Sequence, residues 1–405
     1  MKKLLMITVV LALVSGAAFA QVSGDFFAMT ELFGGNTEQK DADGNLTFNM
    51  GGTPATHWDR LGSKWGIRFG EGAASGRIVF RLHDASLWGW FSWRPVEQFR
   101  LKYGWDRDGE WGAAQINGWG FVAGAKDTVA YNEYKGPALN RVGAMRGWAW
   151  YPGIGDGAGW SLMASIYPVD GLAINLGLPG KYDPPKYAPN AGAGADTGLN
   201  WSKEASLQLS LFHININYKI EEVGLVNFAF VGDGGLGKDR EKLASPGTLY
   251  ASFFLTALKE QGIGEFDLGF AFHTPFKNAS DQDMDGQMQI GLGYRLGIEA
   301  FQFKLRAGAH IGGKNAGADM PTLIGVGILP QYKFSALTFY FHAGFGMSMP
   351  KEGDSTNTWF INPYISVPIG GANFWVGLNV WQDVKPAAGP HATYFSIPIG
   401  FNANY

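Results

Sequence analysis

The amino-acid sequence predicts an all-β fold: a transmembrane antiparallel up-and-down β-barrel of about 18 strands, within a range of roughly 16–18. Three observations predict this class. Polar and apolar residues alternate along most of the chain, glycine and aromatic residues are abundant while charged residues are few, and short turns alternate with longer polar stretches. Because successive side chains of a strand point to opposite faces, such alternation describes a wall between water and an apolar medium.

The clearest alternation lies between residues 301 and 311. One face of this segment is aromatic and aliphatic, whereas the other carries Gln302, Lys304, Arg306 and His310. Strands of soluble β-sandwiches alternate as well, so the pattern alone leaves both interpretations open.

The amino terminus favours the membrane interpretation, because residues 1–20 have the composition of a secretory signal peptide. Lys2 and Lys3 precede an apolar run, and Ala18-Phe19-Ala20 is a small-x-small cleavage site. The apolar run is shorter than the ~20 residues of a spanning helix, which makes a transmembrane anchor the less favoured alternative. Residues 21–405 are expected to form a single barrel domain.

Composition argues against several other classes. The 405 residues include 59 glycines and no cysteine, and 15% are aromatic and 17% charged, which is typical of β structure without disulfides. After the signal peptide no apolar stretch approaches ~18 residues, so a helical membrane protein is not expected. The formal net charge of −3 gives no reason to expect nucleic acid as a partner.

Short connections join the alternating segments into hairpins. They are predicted at Glu71–Gly76, Arg94–Glu97, Pro168–Gly171, Glu221–Gly224, Lys259–Gly264, Gly297–Ala300, Lys333–Ser335 and Pro368–Gly371. Longer polar stretches separate the hairpins, and this asymmetry is typical of outer-membrane barrels. These hairpins and one terminal strand at each end account for the ~18 strands, and an even number places both termini on the periplasmic side.

Two irregularities are expected in the strands. The apolar phase changes between Leu211 and Phe212, which predicts a β-bulge or, alternatively, a junction between two unrelated elements. Pro398 lies inside a presumed strand although proline lacks the N–H that a paired strand needs, so a bulge or a strand end is expected there.

One connection is much longer than the others. It covers about residues 106–159, between strands that end near Trp105 and begin near Trp160, and it includes Asp106, Asp108 and Glu110. A long connection in a tightly wound barrel is usually functional or disordered. A further hairpin is the alternative.

The carboxyl terminus carries a last signal. Gly400, Ala403 and Tyr405 have the spacing of the terminal signal by which outer-membrane barrels are handed to their insertion machinery. With the signal peptide and the hairpin pattern, the chain resembles the outer-membrane porins of the general diffusion type.

The resemblance implies a location in the outer membrane of a diderm bacterium and a passive channel for small polar or anionic solutes. It also implies the lipid bilayer and the outer-membrane insertion machinery as partners, a monomer or a homotrimer, and an outer loop that folds into the pore. The connection at 106–159 is the candidate for this constriction loop. Two other functions stay open: an adhesin or structural barrel with functional surface loops, and an outer-membrane hydrolase.

The rows that we assign to the water-facing side are rich in basic residues. The candidate pore-lining residues are Lys64, Arg68, Arg77, Arg81, Arg100, Lys102, Lys219, Arg295, Lys304 and Arg306. Asp25 and Asp267 are nearly the only acids assigned to this wall. Rings of Arg and Lys attract anions, so we expect anion or polar-solute preference; basic residues that merely hydrate the lumen are the alternative.

Some aromatic residues share the water-facing parity, namely Tyr340, Trp375, Trp381 and Tyr394. Packing beneath loops is the preferred interpretation of these residues, and stacking with sugars in the channel is the alternative.

Motifs for catalysis or cofactors are weak. Asp281, Asp283 and Asp285 begin like a calcium loop, but Leu292 stands where that loop needs Glu. An acidic outer loop is therefore preferred over a loose calcium site. No G-x-S-x-G elbow is present, and we expect neither a cofactor nor an enzyme.

Overall fold

A computed structural model describes most of the chain outside its amino terminus and several connections. The described residues are 22–47, 49–52, 64–70, 72–81, 86–104, 161–179, 213–232, 247–277, 283–284, 288–311, 313–315, 317–382 and 392–404. Among them, no helix is long and apolar enough to cross a membrane.

The described residues form twenty-four strand segments. The first twelve are β1 (Ser23–Asn36), β2 (Asn49–Gly52), β3 (Lys64–Phe69), β4 (Ala74–Arg81), β5 (Ser86–Val96), β6 (Phe99–Gly104), β7 (Ser161–Ile166), β8 (Leu172–Pro179), β9 (His213–Ile220), β10 (Gly224–Gly232), β11 (Gly247–Leu255) and β12 (Glu265–His273). The others are β13 (Phe276–Lys277), β14 (Asp283–Met284), β15 (Met288–Ile298), β16 (Phe301–Ile311), β17 (Lys314–Asn315), β18 (Ala318–Asp319), β19 (Thr322–Lys333), β20 (Thr338–Met349), β21 (Thr356–Ile369), β22 (Ala372–Gly377), β23 (Asn379–Gln382) and β24 (Thr393–Asn404).

Twenty of these segments form one antiparallel sheet that closes on itself. Each strand pairs with its neighbours in chain order, and β1 pairs with β24 from Asp25 opposite Asn404 to Asn36 opposite Tyr394. Because β2 and β3 follow one another along β1, and β22 and β23 follow one another along β24, the described segments fill eighteen positions around the ring. The predicted antiparallel barrel is confirmed, and the strand number of the whole chain stays a prediction.

All eight predicted short connections join strands that pair directly. The hairpins are β3–β4, β5–β6, β7–β8, β9–β10, β11–β12, β15–β16, β19–β20 and β21–β22. Gly171 in the β7–β8 turn has a φ of 78°, and a Cβ there would lie 2.5 Å from the carbonyl oxygen of Lys219, so glycine is required. We call this end of the barrel the short-turn end; β1 begins there and β24 ends there.

The two faces of the sheet differ in the way that the alternation predicts. Large apolar side chains such as Trp65, Leu268 and Phe345 are 40–54% exposed on the outer face, whereas polar side chains such as Ser92 and Asn227 are buried on the inner face. A soluble protein would show the reverse distribution. An apolar exterior on a closed sheet suits a lipid environment, because every backbone group in the wall can pair within the sheet.

The expected irregularity at Pro398 lies partly on its partner strand. Glu31 pairs with Pro398 and Phe33 with Ile397, so Leu32 is an extra residue in β1. On the other side of β24, Leu378 interrupts the ladder between β22 and β23. Its N–H donates to the carbonyl oxygen of Pro363 on β21 at 2.9 Å. The missing donors of these prolines explain the irregular ladder there.

The predicted bulge at Leu211 and Phe212 lies outside the described residues and stays a prediction.

Two inner aromatic rings lie against glycines of the neighbouring strand. Trp375 pairs with Gly400 and Phe360 with Gly344. A Cβ at Gly400 would lie 2.0 Å from the indole of Trp375, and one at Gly344 would lie 2.3 Å from the ring of Phe360. The glycines therefore let both rings lie along the wall.

Replacing Gly400 with alanine is expected to lower the free energy of unfolding by about 1–3 kcal/mol, because the new methyl group overlaps a buried ring that has little room to move. Urea unfolding of the detergent-solubilised protein, followed by tryptophan fluorescence, measures the change. Gly297→Ala is the matched control, since a Cβ at Gly297 meets only Gln302 at 3.9 Å. Equal midpoints for the two variants would contradict this packing.

Candidate functional site

The inner face of the barrel is divided into sectors of different chemistry. We call the inner faces of β3–β6, β7–β10, β12–β16 and β20–β24 the basic, amide, ion-pair and aromatic sectors, respectively. Within the described strands, β3–β6 contain no Asp or Glu, and β20–β24 contain no Asp, Glu, Lys or Arg. The inner surface is therefore strongly uneven in charge.

The basic sector places like charges directly opposite one another. Arg68 pairs with Arg77, and beyond the inner pair Gly66–Val79 the backbone of Lys64 pairs with that of Arg81. Like charges opposite each other in a sheet are unfavourable. Two such pairs in adjacent strands, with no acid in these strands, concentrate positive potential on this part of the wall.

Lys102 is the most deeply buried base of this sector. It is 2% exposed, and its Nζ lies 4.0 Å from the centroid of the Trp90 ring, a cation–π contact that partly replaces the lost hydration. Trp90 is also the cross-strand partner of Arg77. Arg100 lies nearer the short-turn end, 5.9 Å from the Tyr167 ring.

The ion-pair sector contains an acid that the sequence prediction missed. Glu265 is buried, and its Oε2 accepts short hydrogen bonds from Nε and Nη2 of Arg295, while Lys259 Nζ lies 3.5 Å from Oε1. The statement that Asp25 and Asp267 are nearly the only acids of the wall is therefore wrong. Lys304, which pairs with Arg295 across β15 and β16, is also buried.

All ten candidate pore-lining residues occupy inner-face positions of the described strands, as the pairing register and the burial pattern place them. Arg77, Lys102 and Lys304 are buried there, while Arg68 and Lys219 are exposed near the short-turn end. The side chains of Lys64, Arg81 and Arg306 lie outside the described part. Whether these residues line a pore stays a prediction.

Apart from Lys219 near the short-turn end, the amide sector is lined by neutral polar side chains in the described strands. Its buried members are Ser165, Asn175, Asn217 and Asn227. Ser165 pairs with Asn175, and Asn217 pairs with Asn227. Buried polar side chains on the inner wall are expected of a barrel whose interior takes up polar groups.

The aromatic sector brings together rings that are distant in sequence. Tyr340 and Tyr364 stack with their centroids 4.4 Å apart and an interplanar angle of 9°. Trp381 and Tyr394 stack at 5.3 Å and 14°. Trp375 is also buried on the inner face, so the water-facing parity predicted for these aromatic residues agrees with the side of the wall on which they lie.

Two carboxyl groups in connections at the opposite end of the barrel have lowered pKa values. Backbone and side-chain hydrogen bonds from Asn45 lower the pKa of Asp41. The hydrogen bond from Lys351, at 2.8 Å, lowers the pKa of Asp319. Both groups are therefore anionic at neutral pH, and they add negative charge to that rim.

Two predicted sites lie largely outside the described residues. The constriction-loop residues Asp106, Asp108 and Glu110 are outside them, as are Asp281 and Asp285 of the calcium candidate. The backbone of Asp283 belongs to the short hairpin β13–β14. Among the described residues, no group of three His, Cys, Asp or Glu side chains could hold a metal ion.

The pairing of β6 with β7 bears on the long connection. Gly104 at the end of β6 pairs with Ser161 at the start of β7. The intervening residues therefore leave and re-enter the wall at neighbouring strands. The residues between them lie outside the described part, so the alternative of a further hairpin in this connection stays open.

No protein-family model matches this sequence, and no curated protein matches it. Several solved structures, however, are similar in fold to this protein. OpdL of Pseudomonas aeruginosa has a TM-score of 0.57 at 10% identity, over 96% of this chain and 99% of that one. OccK5 (OpdH) of the same species has a TM-score of 0.52 at 11% identity, over 95% and 98%.

An anion-selective porin from Comamonas acidovorans has a TM-score of 0.50 at 11% identity, over 95% of this chain and 100% of that one. These likenesses extend over nearly the whole of both chains. The fold of this protein is thus that of the outer-membrane porins.

Proposed function

We propose that this protein is an outer-membrane channel for passive diffusion of small polar or anionic solutes. The observation that carries the proposal is the basic sector, in which Arg77 faces Arg68 across the strands and Lys102 is buried close by. Fold similarity alone does not define a function. The adjacent positive charges of the basic sector are a more specific argument. They repel each other, and an anion passing along the wall relieves that repulsion.

The apolar exterior supports the membrane location. A barrel with Leu268 and Phe345 exposed on its outer face is most stable in a bilayer. We further propose export by the signal peptide of residues 1–20, insertion by the outer-membrane insertion machinery of a diderm bacterium, and assembly as a monomer or homotrimer. The solutes pass unchanged, so no enzymatic step is proposed.

Recording of the purified protein in a planar bilayer tests the channel. We expect steady single-channel steps and, under a potassium chloride gradient, a reversal potential of the sign that chloride preference requires. Cation preference would refute the basic wall as the selectivity element. Absence of conductance from a protein that migrates as a folded, heat-modifiable barrel would refute the channel.

One observation favours a closed barrel as the second candidate. The inner aromatic residues Phe360, Trp375 and Trp381 are almost fully buried, so this side of the interior is filled. A closed barrel would act through its surface connections as an adhesin or structural protein. The conductance recording separates the two functions.

We also propose that the connection at 106–159 forms the constriction. Its ends lie at Gly104 and Ser161, next to the basic sector, so its acidic residues could face Arg100 and Lys102 across the passage. A positive wall opposite a negative loop gives a strong transverse field in a narrow channel.

Neutralising this loop by Asp106→Asn, Asp108→Asn and Glu110→Gln together is expected to raise the chloride-over-potassium permeability ratio about two- to fivefold, because three negative charges leave the passage. The reversal potential measures the change. A control variant with Asp43→Asn, Glu352→Gln and Asp354→Asn removes the same charge from exposed connections. A loop variant that does not differ from this control would contradict the constriction.

A further inference from the structure

The short-turn end of the barrel carries exposed apolar residues, which we call the apolar ring. Seven of the eight short connections hold one of them, in the turn or at the adjoining strand end. They are 37–63% exposed and comprise Val96, Val169, Val223, Ile263, Ile298, Phe334 and Ile369. Turns that face water are usually built from Gly, Asn, Asp, Ser and Pro. Single exposed apolar residues are common, but a ring of them at one end marks an interaction surface.

The apolar ring continues the lipid-facing wall. Ile298 is the cross-strand partner of Phe301 at an outer-face position of β15, and Ile369 ends the outer row of β21. The ring of Phe334 lies 4.7 Å from that of Tyr332, which is another outer residue. In these hairpins the apolar surface of the wall therefore extends into the turn.

The length of the wall places these turns at a membrane surface. Near the opposite end of β21, Nε1 of Trp359 donates to Oε1 of Gln382 at 2.9 Å on the outer face, and tryptophans of this kind typically lie at a membrane interface. Trp359 and Ile369 are ten residues apart in β21, which at the usual strand tilt spans roughly 25 Å along the barrel axis. The apolar band of an outer-membrane barrel is about 25 Å tall. With one interface at Trp359, the second falls at the turn that carries Ile369.

Carboxyl groups accompany the apolar ring in part of its circumference. Glu97, Asp170, Glu222 and Glu299 each directly adjoin a residue of the ring in sequence, and each is exposed. The connections β19–β20 and β21–β22 contain no acid. The four carboxylates therefore form an arc that follows the hairpins from β5 to β16.

Two bases of these connections are engaged by other groups. The guanidinium of Arg94 donates to the backbone carbonyl of Glu97 and not to its carboxylate, and Lys259 contacts the buried Glu265. Lys333 adjoins a connection without an acid. Among the described residues, none of the four carboxylates of the arc belongs to an ion pair. They are available to groups outside the chain.

The carboxylates narrow the class of lipid that suits this surface. An anionic headgroup is repelled by them. The quaternary ammonium of a choline headgroup is attracted but has no N–H to donate. A primary ammonium group donates up to three hydrogen bonds, and such bonds to carboxylates are charge-assisted.

We propose that the short-turn end sits in the headgroup layer of a phospholipid leaflet. The apolar ring enters the boundary of the acyl chains, and the four carboxylates of the arc accept hydrogen bonds from primary ammonium headgroups. This end of the barrel then scarcely projects beyond the bilayer. The contact goes beyond the proposed channel function and holds whether or not the barrel conducts.

Fluorescent labels on single cysteines test the position of the turns. The chain has no cysteine, so Ile298→Cys and Ile369→Cys can each carry one label in vesicles. Glu352→Cys is the matched control, because Glu352 is exposed in a connection at the opposite end. Lipids brominated near the headgroup end of their acyl chains should quench the first two labels at least about twofold more than the third.

Two outcomes of the labelling would overturn the proposal. Equal quenching at all three sites would place the turns in water. A label response that rises with the protein-to-lipid ratio and not with brominated lipid would assign the apolar ring to contact with a second copy of the chain.

Spin-labelled phospholipids test the headgroup, because the fraction of each lipid that the protein immobilises gives its relative association constant. We expect ethanolamine to exceed choline about two- to fivefold, and choline to exceed the anionic glycerol headgroup. The arc variant replaces the four carboxylates with amides: Glu97→Gln, Asp170→Asn, Glu222→Gln and Glu299→Gln. Its preference for ethanolamine over choline should fall to about one.

A control variant removes the same charge from exposed connections at the opposite end: Glu38→Gln, Asp43→Asn, Glu352→Gln and Asp354→Asn. It should keep the wild-type preference. All eight replaced side chains are exposed, so both variants should fold, and heat-modifiable migration checks this. No ethanolamine preference in the wild-type protein, or an equal loss of it in the two variants, would overturn the proposal.

Discussion

Replacing Arg77 with glutamine and Lys102 with methionine is expected to lower the chloride-over-potassium permeability ratio about two- to fivefold. Both side chains are buried on the inner face, where a low-dielectric wall strengthens their field in the passage. The replacements keep similar length but remove two positive charges. The reversal potential in a salt gradient measures the effect.

The control for this variant removes the same charge from the two ends of the barrel. Lys333 and Lys351 are exposed in or near connections, and their replacement by methionine is expected to leave the ratio nearly unchanged. The free energy of unfolding gives a second check. Loss of Arg77 relieves its repulsion from Arg68 across the strands, and this relief favours the folded state. Equal selectivity in the two double variants would show that net charge, and not the basic sector, sets the preference.

The largest loss of stability is expected at Arg295. Replacing Arg295 with methionine removes the main partner of the buried Glu265 carboxylate, and breaking a buried ion pair in this way costs about 3–5 kcal/mol. Arg295 is itself 28% exposed, so the lower part of that range is expected. Urea unfolding of the detergent-solubilised barrel measures the change.

Two further variants isolate the cause. Lys259 contacts the same carboxylate at 3.5 Å but is 64% exposed, so Lys259→Ala should cost at most about 1 kcal/mol. Adding Glu265→Gln to Arg295→Met removes the stranded charge and should recover part of the loss. Equal effects of the Lys259 and Arg295 variants, or no recovery in the double variant, would contradict the role assigned to the Arg295–Glu265 pair.

The faces of the wall could be predicted from sequence because alternation is a local property. Lys102, Trp375 and Trp381 lie on the inner face that their parity predicts, and each short turn joins the two strands that flank it. Register within a hairpin follows directly from the turn. Local patterns therefore sufficed for the fold class, for the hairpins and for the inward positions of the basic residues.

Contacts between strands that are distant in sequence could not be predicted. The bulge at Leu32 opposite Pro398 depends on the register between the first and last strands. Glu265 has the parity of an inner residue, but its pairing with Arg295 depends on the register of β12 against β15. The placement of Asn362, Asn379 and Ser396 side by side likewise depends on the register of β21, β23 and β24.

A single-cysteine scan along β16 tests the central claim, which is that one face of the closed sheet meets lipid and the other meets the barrel interior. The chain has no cysteine, so each substitution from Gln302 to Ala309 can carry one nitroxide label in a reconstituted bilayer. We expect accessibility to oxygen, which concentrates in lipid, to peak at Phe303, Leu305, Ala307 and Ala309 and to fall at the residues between them. A uniform profile, or peaks at the positions of Lys304 and Arg306, would contradict the account.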